Sequence, residues 1–264
     1  MKKLLNFMLA AALICSASVF TSCTKDDNPV DPSIADNVRL TQIYIEILDP
    51  ESGMTKYTAT EDVIWENGLL KNRDGGTYYN VLTGETTEML PDDYVYDGND
   101  CIEIHHNYAS GRTVEYFTYA DGRLVSAVEK KGDEIKTRTT INSYTDDGHV
   151  KKITLESITF NTITEYEYTW KDGDVASYRV HYVEPADMED ETYYPKYDNI
   201  PNVYTGMPLA TYITEPYLIT VMGTKHNNLR KDTKYTYDHR RLVVQDDGII
   251  VSYFTYSDGI TGRK

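Results

Sequence analysis

"YFTYADGRLVSAV" (residues 116–128) and "YEYTWKDGDVASY" (residues 166–178) carry nearly the same message at two places in the chain. In each, a run of alternating and aromatic residues ends on Tyr119 or Trp170. Asp-Gly follows after one residue, and Leu124 or Val175 comes one residue later. Asp-Gly supplies the positive φ angles of tight hairpin turns and is the strongest short-range hairpin signal. The pair occurs at 74–75, 97–98, 121–122, 147–148, 172–173, 247–248 and 258–259, and Asn67-Gly68 is a further site of the same kind. Between these points the segments alternate and are β-branched or aromatic: "IYIEIL" (43–48), "TVEYFTY" (113–119), "TEYEYTW" (164–170) and "YRVHYV" (178–183). Period two without helical period predicts strands. The chain reads as a succession of hairpins.

The unit recurs at Tyr96-Asp97-Gly98, Tyr144, Tyr237-Asp238 (where Arg240 stands in the glycine place) and Tyr256-Ser-Asp-Gly259. A spacing of about 25 residues matches two strands and two turns. A hairpin cannot bury its apolar face alone, so neighbouring copies must pair into a larger sheet. The large residue of choice is tyrosine, 24 of them against 5 Phe. Its ring packs while its hydroxyl reaches a polar partner or water, which suits a sheet with one partly wet face. The predicted fold is all-β: an antiparallel meander of hairpin repeats forming a curled single sheet or half-barrel, with a two-sheet sandwich as the alternative.

Residues 184–233 break the rhythm. Five of the nine prolines fall between Pro185 and Pro216, and Asp-Gly is absent. "MPLATYITEPYLITVMG" (207–223) suits one or two short helical turns bounded by Pro208 and Pro216. Such an insert either caps the curled sheet or presents a binding loop on a rigid frame. It holds the candidate ligand-binding residues Tyr193, Tyr194, Tyr197, Asp198, Asn199, Asn202 and Tyr204. Flat aromatics cover the apolar C–H faces of sugars, and amides or carboxylates read the hydroxyls.

The first residues have their own logic. Met1-Lys2-Lys3 and an apolar run to Phe20 describe a secretory signal peptide, residues 1–22. Phe20-Thr21-Ser22-Cys23 resembles a bacterial lipobox, with Phe20 in the usual Leu position, which implies Cys23 as the lipid-attachment site. Asp26 and Asp27 close behind resemble the acidic export signal of Bacteroidetes-type surface lipoproteins. Residues 23–37 read as the acylated cysteine and a flexible acidic tether, and 38–264 as one β-hairpin-repeat domain, with 38–91 less repeat-like than the rest. The formal charge is −16. Loss of Lys2 and Lys3 leaves 24 basic against 42 acidic residues, a balance of −18. That charge argues against nucleic acid and against a basic patch on anionic lipid, so the membrane is reached through the anchor alone. Cys101 is then left without a disulfide partner and reads as a half-buried strand cysteine.

Nothing in the sequence marks a reaction. His105 and His106 are adjacent, so a strand points them to opposite faces, and no His-Glu-x-x-His, Gly-x-Ser-x-Gly or phosphate-cradling glycine loop occurs. Asp187, Glu189, Asp190 and Glu191 could bind calcium but lack the order of a calcium loop. The expectation is no enzyme, no cofactor and no metal.

"YEYTWKDGDV" and "YTYDHRRLV" resemble the Tyr-Asp repeats of the RHS type. The chain is similar to Bacteroidetes-type surface lipoproteins with a YD/RHS-like β-repeat domain of unknown function. In these, a late Tyr-Asp-Asn…Pro-Asn segment interrupts the repeats, as Tyr197-Asp198-Asn199-Ile-Pro201-Asn202 does here. The resemblance spans residues 94–264. It implies an outer-membrane, lipid-anchored, extracellular address, and it carries no catalytic residues. The role expected is a non-catalytic binding or accessory protein for an outer-membrane partner. Surface glycan capture is the alternative, and a carbohydrate-active enzyme ranks below both.

Overall fold

The structure is a computed structural model and describes residues 38–263; the signal segment, Cys23 and the tether lie outside them. Thirteen strands follow one another: β1 (Leu40–Leu48), β2 (Thr55–Glu66), β3 (Leu69–Asn80), β4 (Glu85–Met89), β5 (Asp92–Asp97), β6 (Asp100–Tyr108), β7 (Gly111–Ala120), β8 (Arg123–Lys131), β9 (Glu134–Tyr144), β10 (Val150–Ser157), β11 (Thr162–Lys171), β12 (Asp174–Glu184) and β13 (Glu191–Tyr193). The insert holds β14 (Lys196–Pro201), 3-10 turns at Leu209–Thr211 and Pro216–Leu218, one helical turn α1 (Ile219–Met222), and β15 (His226–Leu229). Three strands close the chain: β16 (Lys234–Asp238), β17 (Arg241–Asp246) and β18 (Ile250–Tyr256).

All but β14 and β15 join one antiparallel sheet of 16 strands. Its order runs from β13 back to β5, then β3, β2, β1, β18, β17 and β16, with β4 paired to the side of β3. The meander is as the hairpin reading predicts, and it is one sheet rather than a sandwich. The less repeat-like strands β1 to β3 belong to the same sheet. The C-terminal β18 pairs with β1 over Leu40–Ile47, so the chain's last hairpin extends the sheet beyond its first strand.

The turns follow the chemistry of the sequence in most places. Asn67-Gly68, Asp121-Gly122 and Asp172-Gly173 each form a two-residue turn with both φ angles positive. Arg240 does not spoil its copy. His239 and Arg240 take φ of 46° and 58° and make the same turn without a glycine. Asp74-Gly75 is the exception: it is no hairpin turn but lies inside β3, with Asp74 at φ 60° and Gly76 at 139°. There β3 changes partners, pairing with β4 from Gly76 onward and with β5 at Asn72 and Arg73. A Cβ at Gly76 would fall on the Thr60 carbonyl oxygen.

The reason for the repeat lies at one end of the sheet. Each copy pairs its aromatic across the hairpin with a buried apolar residue five or six positions on: Trp65 with Leu70, Tyr96 with Cys101, Tyr119 with Leu124, Tyr144 with Val150, Trp170 with Val175, Tyr237 with Leu242. The ladder shifts register at each of these pairs, a β-bulge that increases twist and ends pairing on the far side. The buried residue's carbonyl therefore lies just beyond its next ladder, and the following copy's aromatic donates to it. Trp65 Nε1 reaches Leu40 O at 2.8 Å, Tyr96 Oη Leu70 O at 2.9 Å, Tyr119 Oη Cys101 O at 3.0 Å, Tyr144 Oη Leu124 O at 2.6 Å, Trp170 Nε1 Val150 O at 2.7 Å, and Tyr256 Oη Leu242 O at 2.7 Å. Only an aromatic with a polar hydrogen fills this place, which excludes Phe. Each bond is worth about 1 kcal/mol net, and leaving such a carbonyl unpaired costs about 1–3 kcal/mol.

The insert packs on the sheet's inner face. Val203, Met207, Ala210, Tyr212, Ile213, Ile219 and Met222 are buried with Ile104, Phe117, Ala127, Ile141, Ile153 and Tyr168 of the strands. Tyr168 Oη donates to Pro216 O (2.7 Å) and Thr214 Oγ1 to Glu115 Oε1 (2.9 Å). The insert also joins the two ends of the sheet. Lys225 N donates to Gly173 O (2.9 Å) and the His226 ring meets Asp174 (2.7 Å) beside β12. On the other side Tyr237 Oη donates to Asp198 (2.8 Å) and Arg230 N to Tyr235 Oη (2.7 Å) at β16. One short antiparallel pair, β14–β15, spans both ends, so the sheet curls around its own insert without closing by strand pairing.

Candidate functional site

The inner face is thus packed from within by the insert, and exposed aromatic and charged side chains gather at its rim. The best-furnished rim is the edge formed by β11, β12 and β13. Tyr168, Tyr178 and Tyr193 sit directly opposite one another on these three strands. Their rings stack in a row, with centroids 5.9 Å and 4.8 Å apart and planes within 25° and 13°. Burial falls along the row. Tyr168 lies under Pro216, Tyr178 is half-buried, and Tyr193 is 39% exposed on the last strand of the sheet. Tyr194, next in the chain, is 71% exposed.

Tyr166 and Tyr182 lie on the same face beside Tyr178. Burial, and after it the neighbouring tyrosines, push the Tyr166 and Tyr178 hydroxyls up to about 12, so they are neutral donors at any ordinary pH. Tyr193 Oη donates to the Glu191 carboxylate, and Tyr217 Oη donates to Glu215 (2.6 Å). Asp190 is engaged by Arg179 and by His181 (2.6 Å) and is held below the usual carboxylate range, first by the His181 hydrogen bond and then by that of Arg179.

The seven candidate residues of the sequence divide into two groups. Tyr193, Tyr194 and Asn199 are exposed. Tyr197, Asp198, Asn202 and Tyr204 stitch the insert together. Tyr197 brings its buried hydroxyl up to the Val175 backbone without closing a hydrogen bond. Asp198 accepts from Ile200 N (2.9 Å) and Asn227 Nδ2 (3.1 Å) as well as Tyr237. Asn202, 3% exposed, donates to Val221 O (2.6 Å) and Thr224 Oγ1 (3.1 Å), and burial raises the Tyr204 hydroxyl. Tyr166, Tyr178 and Tyr182 escaped the sequence reading because they look like ordinary repeat strand. The alternation Tyr178-Arg-Val180-His-Tyr182 does place the last two of that set, Tyr178 and Tyr182, on one face and was the signal available.

Other polar groups serve the interior. His105 and His106 point to opposite faces, as the strand predicts. His105 meets Glu103 (2.6 Å), and His106 lies between Asp92 (2.7 Å) and Glu115 (3.2 Å) beneath the insert. Burial alone would depress His106, but its hydrogen bonds to the two carboxylates outweigh that and hold it cationic well above its ordinary range. Glu61, also buried, is raised to about 8 chiefly by desolvation. Cys101 is fully buried rather than half-buried, at the foot of its bulge, and burial pushes its thiol up to about 12. Among the described residues, no three His, Cys, Asp or Glu side chains converge as a metal set. Asp187 and Glu189 are exposed, while Asp190 is occupied by its ion pair. A cleft of about 380 Å³ opens between Met207, Tyr212, Met222, Lys225 and His226, whose ring is already taken by Asp174.

No protein-family model matches the chain, and no curated protein does. Among solved structures, a porin-like protein from Bacteroides uniformis ATCC 8492 aligns over 83% of this chain and 96% of its own, at 15% identity and a TM-score of 0.53. A porin-like protein from Bacteroides vulgatus ATCC 8482 aligns over 84% and 99%, at 10% identity and a TM-score of 0.46. A chain of the TcdB2-TccC3-Cdc42 structure aligns over 75% of this one and 14% of its own, at 12% identity and a TM-score of 0.27. The first of these likenesses shows that the curled antiparallel sheet is a fold shared with a solved Bacteroides protein.

Proposed function

We propose that the chain is a non-catalytic binding or accessory protein, tethered to the outer membrane through an acyl group on Cys23 and displayed on the outer face of the cell. The observation that carries this reading is the filled inner face. Where an open half-barrel would receive a ligand, Ile213, Ile219 and Met222 of the chain's own insert are packed instead. Recognition then falls to the rim, where the tyrosine edge presents Tyr193 and Tyr194 as exposed aromatic surface. Support for the anchor comes from Phe20-Thr21-Ser22-Cys23 and the acidic residues behind it. Val38, where the described chain begins, leads directly into β1 at the end of the sheet that carries the aromatic rungs.

The test is expression of the full chain and its Cys23→Ser variant in a Bacteroidetes host, with palmitate labelling, membrane fractionation and protease treatment of intact cells. Label and outer-membrane recovery lost on substitution, with the wild-type protein cut in intact cells, are the expected outcome. Unlabelled wild-type protein, or protein recovered in the soluble fraction, would overturn the anchor. Glycan capture is the second reading, favoured by the stacked pair Tyr178 and Tyr193.

A further inference from the structure

We infer that the outward face of Tyr193 is a stacking subsite for a neutral polysaccharide. This rests on the rim reading above and narrows it to a ligand class and a residue. The row Tyr168–Tyr178–Tyr193 advances by one strand at each ring. Because β13 is the last strand of the sheet, the next place in the row is vacant and one ring face of Tyr193 has no sheet neighbour. The inner face of that ring is held near-parallel to Tyr178 at 4.8 Å, and its hydroxyl is tied to Glu191, so the ring is oriented before any ligand arrives. A pre-oriented flat ring matches the axial C–H face of a pyranose, and fixing it in advance removes part of the entropy cost of binding.

Two features select the class. An added β-strand is a poor occupant of this edge: β13 has three residues, and Pro195 follows directly after Tyr194, so few main-chain groups are offered for pairing. Charge selects among glycans. Glu191 lies at the ring, Glu184 and Glu189 are exposed nearby in the chain, Glu215 caps Tyr217, and the whole protein carries −16. The Arg179 guanidinium on β12 is engaged by Asp190. Uronate and sulfate chains meet repulsion here, whereas the hydroxyls of a neutral chain find carboxylate acceptors.

The experiment uses the mature chain in soluble form, residues 24–264, in affinity electrophoresis. The gels contain neutral polysaccharides (xyloglucan, galactomannan, mixed-linkage glucan, arabinoxylan, starch) or anionic ones (polygalacturonate, alginate, heparin). Retardation by at least one neutral polysaccharide and by none of the anionic ones is expected. Tyr193→Ala should weaken it by about tenfold or more, the loss of one aromatic stacking contact, while Tyr193→Phe, which keeps the ring, should retain most of it. Circular dichroism and thermal melts of both variants establish that they are folded. Binding only to anionic chains, binding indifferent to Tyr193→Ala, or no retardation in any gel would each overturn the inference. The last of these leaves the anchored accessory role standing, since Cys23→Ser fractionation tests it separately and crosslinking in intact cells then seeks a protein partner.

Discussion

The sheet and the insert are held by different kinds of rule. In the sheet one device is used again and again: a bulge, a buried apolar residue, and a carbonyl capped by the next copy's aromatic. Each rung depends on residues within about one repeat, so losing one leaves its neighbours intact, as in stacked-repeat proteins. The insert follows no repeat. Its place depends on contacts such as Tyr168–Pro216 and Glu115–Thr214, which join residues 48 and 99 positions apart. What the sheet gains from redundancy, the insert lacks.

The largest effect should therefore come from the insert's core. Ile213 and Ile153 are both 0% exposed, one on the insert and one on β10 facing it. Truncation of either to alanine should cost about 2–5 kcal/mol by loss of burial and by the cavity left behind. The comparison is sharpened by the shape of the urea transition. A single transition in both variants makes the insert and sheet one cooperative unit. An early second transition in Ile213→Ala alone, seen by tyrosine fluorescence while far-ultraviolet circular dichroism persists, would show that the insert leaves an intact sheet.

A rung should matter less and should add simply. Tyr144→Phe keeps the ring under Arg123 and removes only the bond to Leu124 O. The expected loss is about 1–3 kcal/mol at unchanged m, because the carbonyl is left unpaired. The double variant Tyr96→Phe, Tyr144→Phe should lose the sum to within about 0.5 kcal/mol, because the two rungs share no partner. A double loss well beyond the sum would mean that the rungs act together and that the repeat is not modular.

The rungs also show what was legible in the sequence. The recurring aromatic and its turn gave the hairpins and the antiparallel meander, with one curled sheet as the first reading and a sandwich as its alternative. The pairing of β18 with β1, from opposite ends of the described chain, had no local signal. The preference for Tyr over Phe read as a sign of a wet face; at Tyr96, Tyr119, Tyr144 and Tyr256 the physical cause is more specific, a hydroxyl hydrogen that reaches a carbonyl one copy back. Trp65-Glu-Asn67-Gly68-Leu-Leu70 has the spacing of the other copies and belongs to the same series, although its strand is flanked by less repetitive sequence. Asp74-Gly75 misleads because a bulge and a turn demand the same positive φ, and local sequence does not distinguish them. The roles of Asn202 and Tyr204 were hidden for another reason. Polar and aromatic residues in a proline-rich loop suit ligand contact and internal stitching equally, and only the long-range packing of the insert separates the two. The tyrosine edge was half visible. Tyr193 and Tyr194 stand out by composition, but which strand ends the sheet is a matter of topology, and Tyr178 gains its meaning from that alone.

The smallest effect tests whether the turn chemistry is as uniform as the rungs. Arg240 holds φ at 58° in an exposed turn where four other copies place glycine after aspartate or asparagine. A non-glycine residue pays about 1–2 kcal/mol for this left-handed conformation, and glycine returns part of that, about 0.5–1 kcal/mol, as extra freedom in the unfolded chain. Arg240→Gly should therefore stabilise the protein by about 0.5–1 kcal/mol. The reverse change Gly122→Arg, at φ 71° in open space, should destabilise by a similar amount. Equal and opposite shifts in urea midpoint would show that the two turns differ only in local backbone energy. If Arg240→Gly instead destabilised the protein, the arginine side chain would have to be contributing an interaction that offsets its strain, and the C-terminal hairpin would stand apart from the other copies.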